Sequence, residues 1–184
     1  MKLHLGCWHR NIPGFINVDL CDMEHIDIKT NINDLSMIDN DSVSLIYSSH
    51  SFEYFDRGEA EDVLREWRRV LKPGGLLRVA VPDFDSLIKV YKETNNDIEK
   101  ILGPLYGRME IKKPLAAEKI YHKTIYNFAS LEKLLIKSGF KDVKRYDWQK
   151  TIHKDYDDHS QAYFPHMDKH NGILISLNVE AIKN

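Results

Sequence analysis

Apolar residues along this chain come in short blocks that stop at a glycine, an acidic side chain or a serine, and between several of these blocks they recur at helical spacing. Leu3 and Leu5 stop at Gly6, and a second apolar run over 16–20 reaches Asp19. A third, polar-interrupted strand is expected over 26–32, ended by Asn33-Asp34-Leu35. Residues 43–48 follow the turn Asp39-Asn40-Asp41-Ser42 and read as a buried fourth strand. Asp56, with Glu59 three residues on, resembles a helix-start box, and Ala60, Val63, Leu64, Trp67, Val70 and Leu71 then share one helical face. Lys72-Pro73-Gly74-Gly75 stops that helix, and residues 76–81 form a fifth strand. Phe84, Leu87, Ile88 and Tyr91 mark the next helix, and Ser130 is the expected N-cap of another that carries Leu131, Leu134 and Leu135. A sixth strand over 143–146 and a last one over 173–182 complete the pattern.

Strands alternating with amphipathic helices, closed by a hairpin-like final pair, predict an α/β fold. The expected architecture is a doubly wound, mostly parallel seven-stranded sheet with an antiparallel last strand. One departure is visible at the start. About ten residues separate the first two strands, whereas a helical crossover takes about a dozen or more. The first crossover helix is therefore expected to be missing or very short, and Asn11-Ile12-Pro13-Gly14 reads as a turn. Gly103-Pro104 and Lys113-Pro114 break the stretch over 95–125 into short helical pieces and loops, expected to lie as an insert over the site, with a second covering loop at 148–172.

The 184 residues, 42% hydrophobic and 29% charged, fit a single domain over 1–184. A net charge of −2 leaves no footprint for nucleic acid. Two cysteines, no signal-like N-terminal pattern and no apolar run of spanning length suggest a cytoplasmic protein without a membrane span.

In open α/β sheets ligands bind outside the carboxyl ends of the strands, and Gly6, Asp19, Asp34, the segment from Ser48 to Glu53, and Asp83 all fall there. Glycine after the first strand lets a ligand approach the backbone, and an acidic residue ending the second can accept hydrogen bonds from ribose hydroxyls. His50 and Glu53, three apart after the fourth strand, read either as a base or substrate-orienting pair or as a helix cap. Asp83, just after the fifth strand, reads as a substrate contact or a helix N-cap, and the cap is favoured. His122, Tyr126 and His159 lie in the covering segments, where binding residues concentrate. The run His153, His159, His166 and His170 lacks cysteine partners and a recognised ligand spacing, so no metal is expected.

The ordered set of these segments resembles the class I S-adenosylmethionine-dependent methyltransferases. Leu3-His4-Leu5-Gly6-Cys7 resembles the first glycine motif, Asn17-Val18-Asp19 the acidic end of the second strand, and Asn33-Asp34-Leu35 the adenine-contacting motif. Ser49-His50-Ser51-Phe52-Glu53-Tyr54-Phe55 is similar to the fourth-strand exit that often reads His-x-x-Glu-His, and Leu71-Lys72-Pro73-Gly74-Gly75 to the turn before strand five. More narrowly, Tyr156-Asp157-Asp158-His159-Ser160 and Ser176-Leu177-Asn178-Val179-Glu180-Ala181 are similar to small type-11-like methyltransferases, some of them encoded beside surface-polysaccharide genes.

The resemblance implies S-adenosylmethionine as cofactor, held by Gly6, Cys7, Trp8, Asp19, Leu20, Asp34, Leu35, Ser49 and His50. Methyl transfer is implied to a small-molecule or glycan-type acceptor, at oxygen, with His50, Glu53, His122 and His159 as catalytic candidates. Trp8 stands where the family places another glycine. Its ring either crowds the cofactor or belongs to a rebuilt loop, and the first alternative keeps open a non-catalytic binding or scaffold module.

Overall fold

The chain opens with strand β1 (Lys2–Leu5), and ten residues later enters β2 (Ile16–Asp19) with no helix between them. The computed structural model describes residues 1–112 and 117–184. Where a crossover helix would lie, the loop after β1 is held by two turn bonds, Arg10 N–H to the Cys7 carbonyl at 2.9 Å and Phe15 N–H to the Ile12 carbonyl at 3.2 Å. The loop sends Ile12 and Phe15 against Leu45 and Tyr47, with Leu76 packed beside them. Two apolar side chains of a loop thus cover a sheet face that a helix would otherwise bury.

The order continues β3 (Ile28–Lys29), β4 (Val43–Ser49), α1 (Arg57–Val70), β5 (Leu71–Pro82), α2 (Phe84–Glu93), α3 (Glu99–Tyr106), β6 (Met109–Lys112), β7 (Ala117–Ile120), α4 (Phe128–Lys137), β8 (Phe140–Arg145), β9 (Tyr163–Phe164), β10 (Ile173–Leu174) and β11 (Ser176–Lys183). Seven strands form one sheet in the order β3-β2-β1-β4-β5-β11-β8. The pairs β1–β2, β1–β4, β2–β3 and β4–β5 are parallel, and β11 runs antiparallel to both β5 and β8. The expected sheet, its antiparallel last strand and the absent first helix are all present. Neighbours β1 and β4 lead the chain in opposite directions across the sheet, which makes their carboxyl ends the switch point where ligands of such sheets sit.

Helices α1 and α4 bury their apolar faces on one side of the sheet, against Leu3, Leu5, Ile46, Leu77, Val79 and Leu177. Asp56 starts α1 with a complete capping box: its carboxylate accepts from the Gly58 and Glu59 amides, and Glu59 accepts from the Asp56 amide. Trp67, fully buried, satisfies its indole N–H on the Ile32 carbonyl at 2.7 Å. Helices α2 and α3 form a separate cluster through Leu87, Val90 and Ile101 with Ile125, Phe164, Ile173 and Ile175.

Several boundaries differ from expectation. The third strand shrinks to two residues, because its polar interruptions leave little to bury. β5 starts at Leu71, paired with Val43, and residues 72–75 loop out before Leu76 pairs with Leu45. Asn127, not Ser130, caps α4; Ser130 is the far partner of that box, so the motif reads three residues earlier. Pro104 does not break α3 but sits inside it, two residues before the helix ends at Tyr106. The β6–β7 hairpin was not foreseen, and the break expected at Lys113-Pro114 lies outside the described residues. The expected strand over 173–182 divides: Ile173 and Leu174 pair with β9, and only Ser176 onward joins the sheet.

Candidate active site

A cavity of about 980 Å³ opens at the carboxyl ends of β1, β2 and β4. Gly6, Cys7, Trp8, Asp19, Leu20, Ser49, His50, His122 and His159 line it, which brings together nine of the residues expected from sequence. Asp34, Leu35 and Glu53 are not on its wall. Asp34 accepts from the Ser36 amide at 3.1 Å as a turn residue, and Leu35 is buried in the main core with its amide on Glu66. From that segment it is Asn31, Ile32 and Asn33 that face the cavity.

The cradle is built on two loops tied by Asp19. One carboxylate oxygen accepts the Trp8 amide at 2.7 Å and the other the Cys21 amide at 2.9 Å. Each oxygen keeps a second lone pair, so Asp19 both fixes the loop and retains capacity for two hydroxyl donors. Gly6 has φ +68°, and a Cβ there would stand 2.1 Å from the Ser51 hydroxyl, which itself donates to the Gly6 carbonyl at 3.1 Å. The missing side chain lets the exit of β4 close against the end of β1. Trp8 takes a left-handed φ of 45°, accepts His25 on its carbonyl at 2.7 Å, and packs its ring edge to face with His9 at 4.3 Å. With 39% of the residue exposed, Trp8 forms part of the cavity wall. Volume, a glycine close approach and an acidic strand end with spare acceptor capacity fit a nucleoside-bearing cofactor of S-adenosylmethionine's size.

Beneath the cavity floor lies a second arrangement. Glu53 is fully buried in the turn after β4, and neither of its carboxylate oxygens has a hydrogen-bond partner. Its Oε1 lies 3.5 Å from His50 Nδ1 and 3.5 Å from His122 Nε2. The Glu53 carbonyl accepts the Lys123 amide at 2.9 Å, which brings His122 alongside, and Gly107 leaves room for the ring: a Cβ there would meet His122 Nε2 at 1.8 Å. His122 Nδ1 faces the Pro104 carbonyl at 3.1 Å, so that nitrogen carries the hydrogen and Nε2 presents a lone pair to Glu53.

A chain of bonds fixes His50 in the same sense. Asn178 donates its amide to the Ser160 carbonyl, so its oxygen accepts the Ser176 hydroxyl. Ser176 Oγ then accepts from His50 Nε2 at 3.0 Å, leaving Nδ1 as an acceptor towards Glu53. A carboxylate between two lone pairs has a partner only when it holds a proton. Burial acts in that direction, pushing the Glu53 carboxyl up to about 8. Burial likewise holds His50 well below its ordinary value and lowers His122.

His159 joins this group edge to face with His50 at 5.3 Å, and burial, then the Arg10 charge, lower it. Asp83 is a helix cap, accepting from the Asp85 amide at 3.2 Å and pairing with Arg145 at 3.0 Å. Tyr126 is buried against Phe52 and is not on the cavity wall. His166 and His170 lie on the exposed surface, and His153 is buried against Tyr47 at 3.9 Å. Among the described residues no group of three or more His, Cys, Asp or Glu is placed to hold a metal ion.

Four site residues carried no expectation from the sequence: Arg10 and Tyr54 on the cavity wall, Tyr54 donating its hydroxyl to the Gly107 carbonyl at 2.7 Å beside the His122 ring, and Ser176 and Asn178, which orient His50. Ser176 and Asn178 alternate along one strand and so share a face, a signal that could have been read. Arg10 carried the weaker signal of the sole cation in the shortened loop.

Residues 15–79 match the sequence model of a methyltransferase domain family, Methyltransf_11. Among solved structures, an Archaeoglobus fulgidus S-adenosylmethionine-dependent methyltransferase is similar with TM-score 0.56 at 15% identity, over 99% of this chain and 85% of that one. A Methanosarcina mazei S-adenosylmethionine-dependent methyltransferase gives 0.53 at 16% identity, over 99% and 91%. The Burkholderia thailandensis 1,6-didemethyltoxoflavin-N1-methyltransferase, solved with 1,6-didemethyltoxoflavin and S-adenosylhomocysteine, gives 0.56 at 13% identity, over 100% and 70%. No curated protein sequence matches the chain. At these identities the solved structures speak for the fold, and the family match covers about a third of the chain, from β2 into β5, including Asp19, Ser49 and His50 of the cavity wall. The chain thus has the fold of S-adenosylmethionine-dependent methyltransferases, and its residues 15–79 match a methyltransferase domain.

Proposed function

We propose that the protein transfers the methyl group to an oxygen of a small-molecule hydroxyl acceptor, using the His50, Glu53 and His122 cluster to take up the acceptor's proton. The observation that carries this reading is the buried Glu53, unpartnered between two imidazole lone pairs at 3.5 Å. S-adenosylmethionine, when bound, would supply a methyl carbon activated by a positively charged sulfonium, which would leave with the carbon–sulfur bonding pair as the acceptor oxygen takes the methyl group. Gly6, Asp19, Ser49 and Asn33 would hold the cofactor, with Trp8 at its rim.

The cluster's task is the proton. With one proton shared among Glu53, His50 and His122 the group is neutral, and uptake of the acceptor's proton makes it singly positive. The cluster's gain of one positive charge would match the one given up by the sulfonium, so the net charge of the cavity would stay constant. Such bookkeeping favours a neutral hydroxyl over an acceptor that has no proton to give. Distances of 3.5 Å are long for proton transfer, as is usual before substrate closes a site. The described parts of the segments 95–112, 117–125 and 148–172 would form the acceptor side, a reading supported by Met109, Ile111, Tyr121 and His159 on the cavity wall.

The test is incubation with methyl-labelled cofactor and an extract of the native cell, followed by mass spectrometry of the labelled product. A small molecule methylated at oxygen is the expected result, with labelling lost in Glu53→Gln. Label on protein, nucleic acid or nitrogen would overturn the reading.

A further inference from the structure

We propose that Arg10 is an oxyanion anchor, binding a carboxylate or phosphate group of a molecule held in the cavity. The inference rests on the cavity being the reaction site, as above. Arg10 sits on the shortened loop after β1 and lines the cavity. Its Nε donates to the Asp157 carbonyl, which fixes the side chain and leaves Nη1 and Nη2 without a partner among the described residues. A guanidinium offers five N–H donors in a planar fork, so most of its capacity stays open.

The carboxylates around it are already engaged. Asp157 pairs with Lys169 at 3.1 Å. Asp158 accepts from the Tyr47 and Ser49 hydroxyls and from the Ser160 amide. Asp19 is tied to Trp8 and Cys21. Two other cavity cations differ: Lys123 is paired with Glu59 at 2.8 Å and Lys29 with Asp22 at 3.2 Å, while Lys119 lies on the β7 side of the cavity, away from the shortened loop. Around Arg10 the neighbours are His9, His50 and His159, whose charged forms its own charge disfavours. A guanidinium whose terminal nitrogens make no ion pair among the described residues, beside imidazoles and on the wall of a cavity, matches the bidentate recognition of an oxyanion.

Two molecules could bring that group: the acceptor, or the cofactor through the carboxylate of its amino-acid end. Calorimetric titration of the wild type and Arg10→Met separates them, with S-adenosylhomocysteine, 5′-methylthioadenosine and inorganic phosphate as probes. 5′-Methylthioadenosine lacks the amino-acid end. If the cofactor supplies the carboxylate, Arg10→Met weakens S-adenosylhomocysteine about tenfold or more and leaves 5′-methylthioadenosine unchanged. If the acceptor supplies the oxyanion, both nucleosides bind the variant normally, while phosphate binds the wild type at millimolar concentration and not the variant.

Arg10→Lys, which keeps charge but loses the fork, should recover only part of either effect. Equal weakening of both nucleosides, or no difference with any probe, would overturn the proposal. Failure of both nucleosides to bind the wild type would count against the cofactor site instead, and the phosphate titration would still decide on Arg10.

Discussion

His122 Nε2 stands 3.5 Å from Glu53 Oε1, with its other ring nitrogen committed to the Pro104 carbonyl. The contact joins a residue on the exit of β4 to one some seventy positions later, and only a proton on one partner makes it attractive. Glu53 is buried and raised to about 8, so the protonated carboxyl is its neutral-pH form.

Stability should therefore fall with rising pH on account of Glu53. Its folded value is raised above the ordinary 4.5, so the folded state binds more protons than the unfolded one between about 4.5 and 8. The stabilisation is fully present below 4.5 and lost as pH rises through 8. Glu53→Gln, which mimics the protonated carboxyl, should match the wild type in denaturant melts at pH 5 and exceed it by a few kcal/mol at pH 9. A gap that does not change with pH would contradict this. Methyl transfer by the variant should drop about 10²–10⁴-fold.

Gly107→Ala should disable the site more than the fold. The residue has φ +50° and no room for a Cβ beside the His122 ring. The left-handed backbone costs about 1–2 kcal/mol. Displacing His122 should lower labelled methyl transfer by about 10²-fold, with S-adenosylhomocysteine affinity retained. Loss of affinity and transfer together would mean that His122 is not held by this contact alone.

The elements that touch the site divide cleanly in how readable they were. Gly6, Asp19, Ser49 and His50 fall at ends of strands whose apolar runs were visible, so their convergence followed from topology. The missing helix after β1 followed from loop length. What escaped depended on which way a side chain turns. Leu35 was assigned to the cofactor but points into the core, and Asp34 spends its carboxylate on a turn amide. The β6–β7 hairpin escaped because its short strands carry no alternation strong enough to separate them from loop. The pairing of Glu53 with His122 is a tertiary contact that no local spacing records.

Asp19→Ala should show two separable losses. Removing the carboxylate leaves the Trp8 and Cys21 amides unpaired, costing about 1–3 kcal/mol in denaturant melts. Cofactor affinity should fall as well, in calorimetric titration at a temperature where the variant is folded. Asn at the same position keeps one acceptor oxygen and should lie between. An unchanged affinity in the folded Ala variant would remove Asp19 from the cofactor site.

Acid should destabilise the protein through His4 and His153. Burial lowers both to about 4, and both ring nitrogens of His153 lack partners. The unfolded state then binds more protons between pH 6.5 and 4, so stability declines as pH falls through that window. His153→Phe keeps the stack on Tyr47 without a titrating group. Its melting temperature should exceed that of the wild type at pH 5 by more than at pH 8; equal offsets would place the acid sensitivity elsewhere.

The shared proton is the centre of this account, and it can be observed without knowing the acceptor. Carbon NMR of protein labelled at the glutamate side-chain carboxyl, with the Glu53 signal assigned by its loss in Glu53→Gln, follows that group through pH. A midpoint near 8 is expected. A midpoint in the ordinary carboxylate range, between about 4 and 5, would mean that Glu53 is ionised at neutral pH and that the cluster does not hold the proton assigned to it.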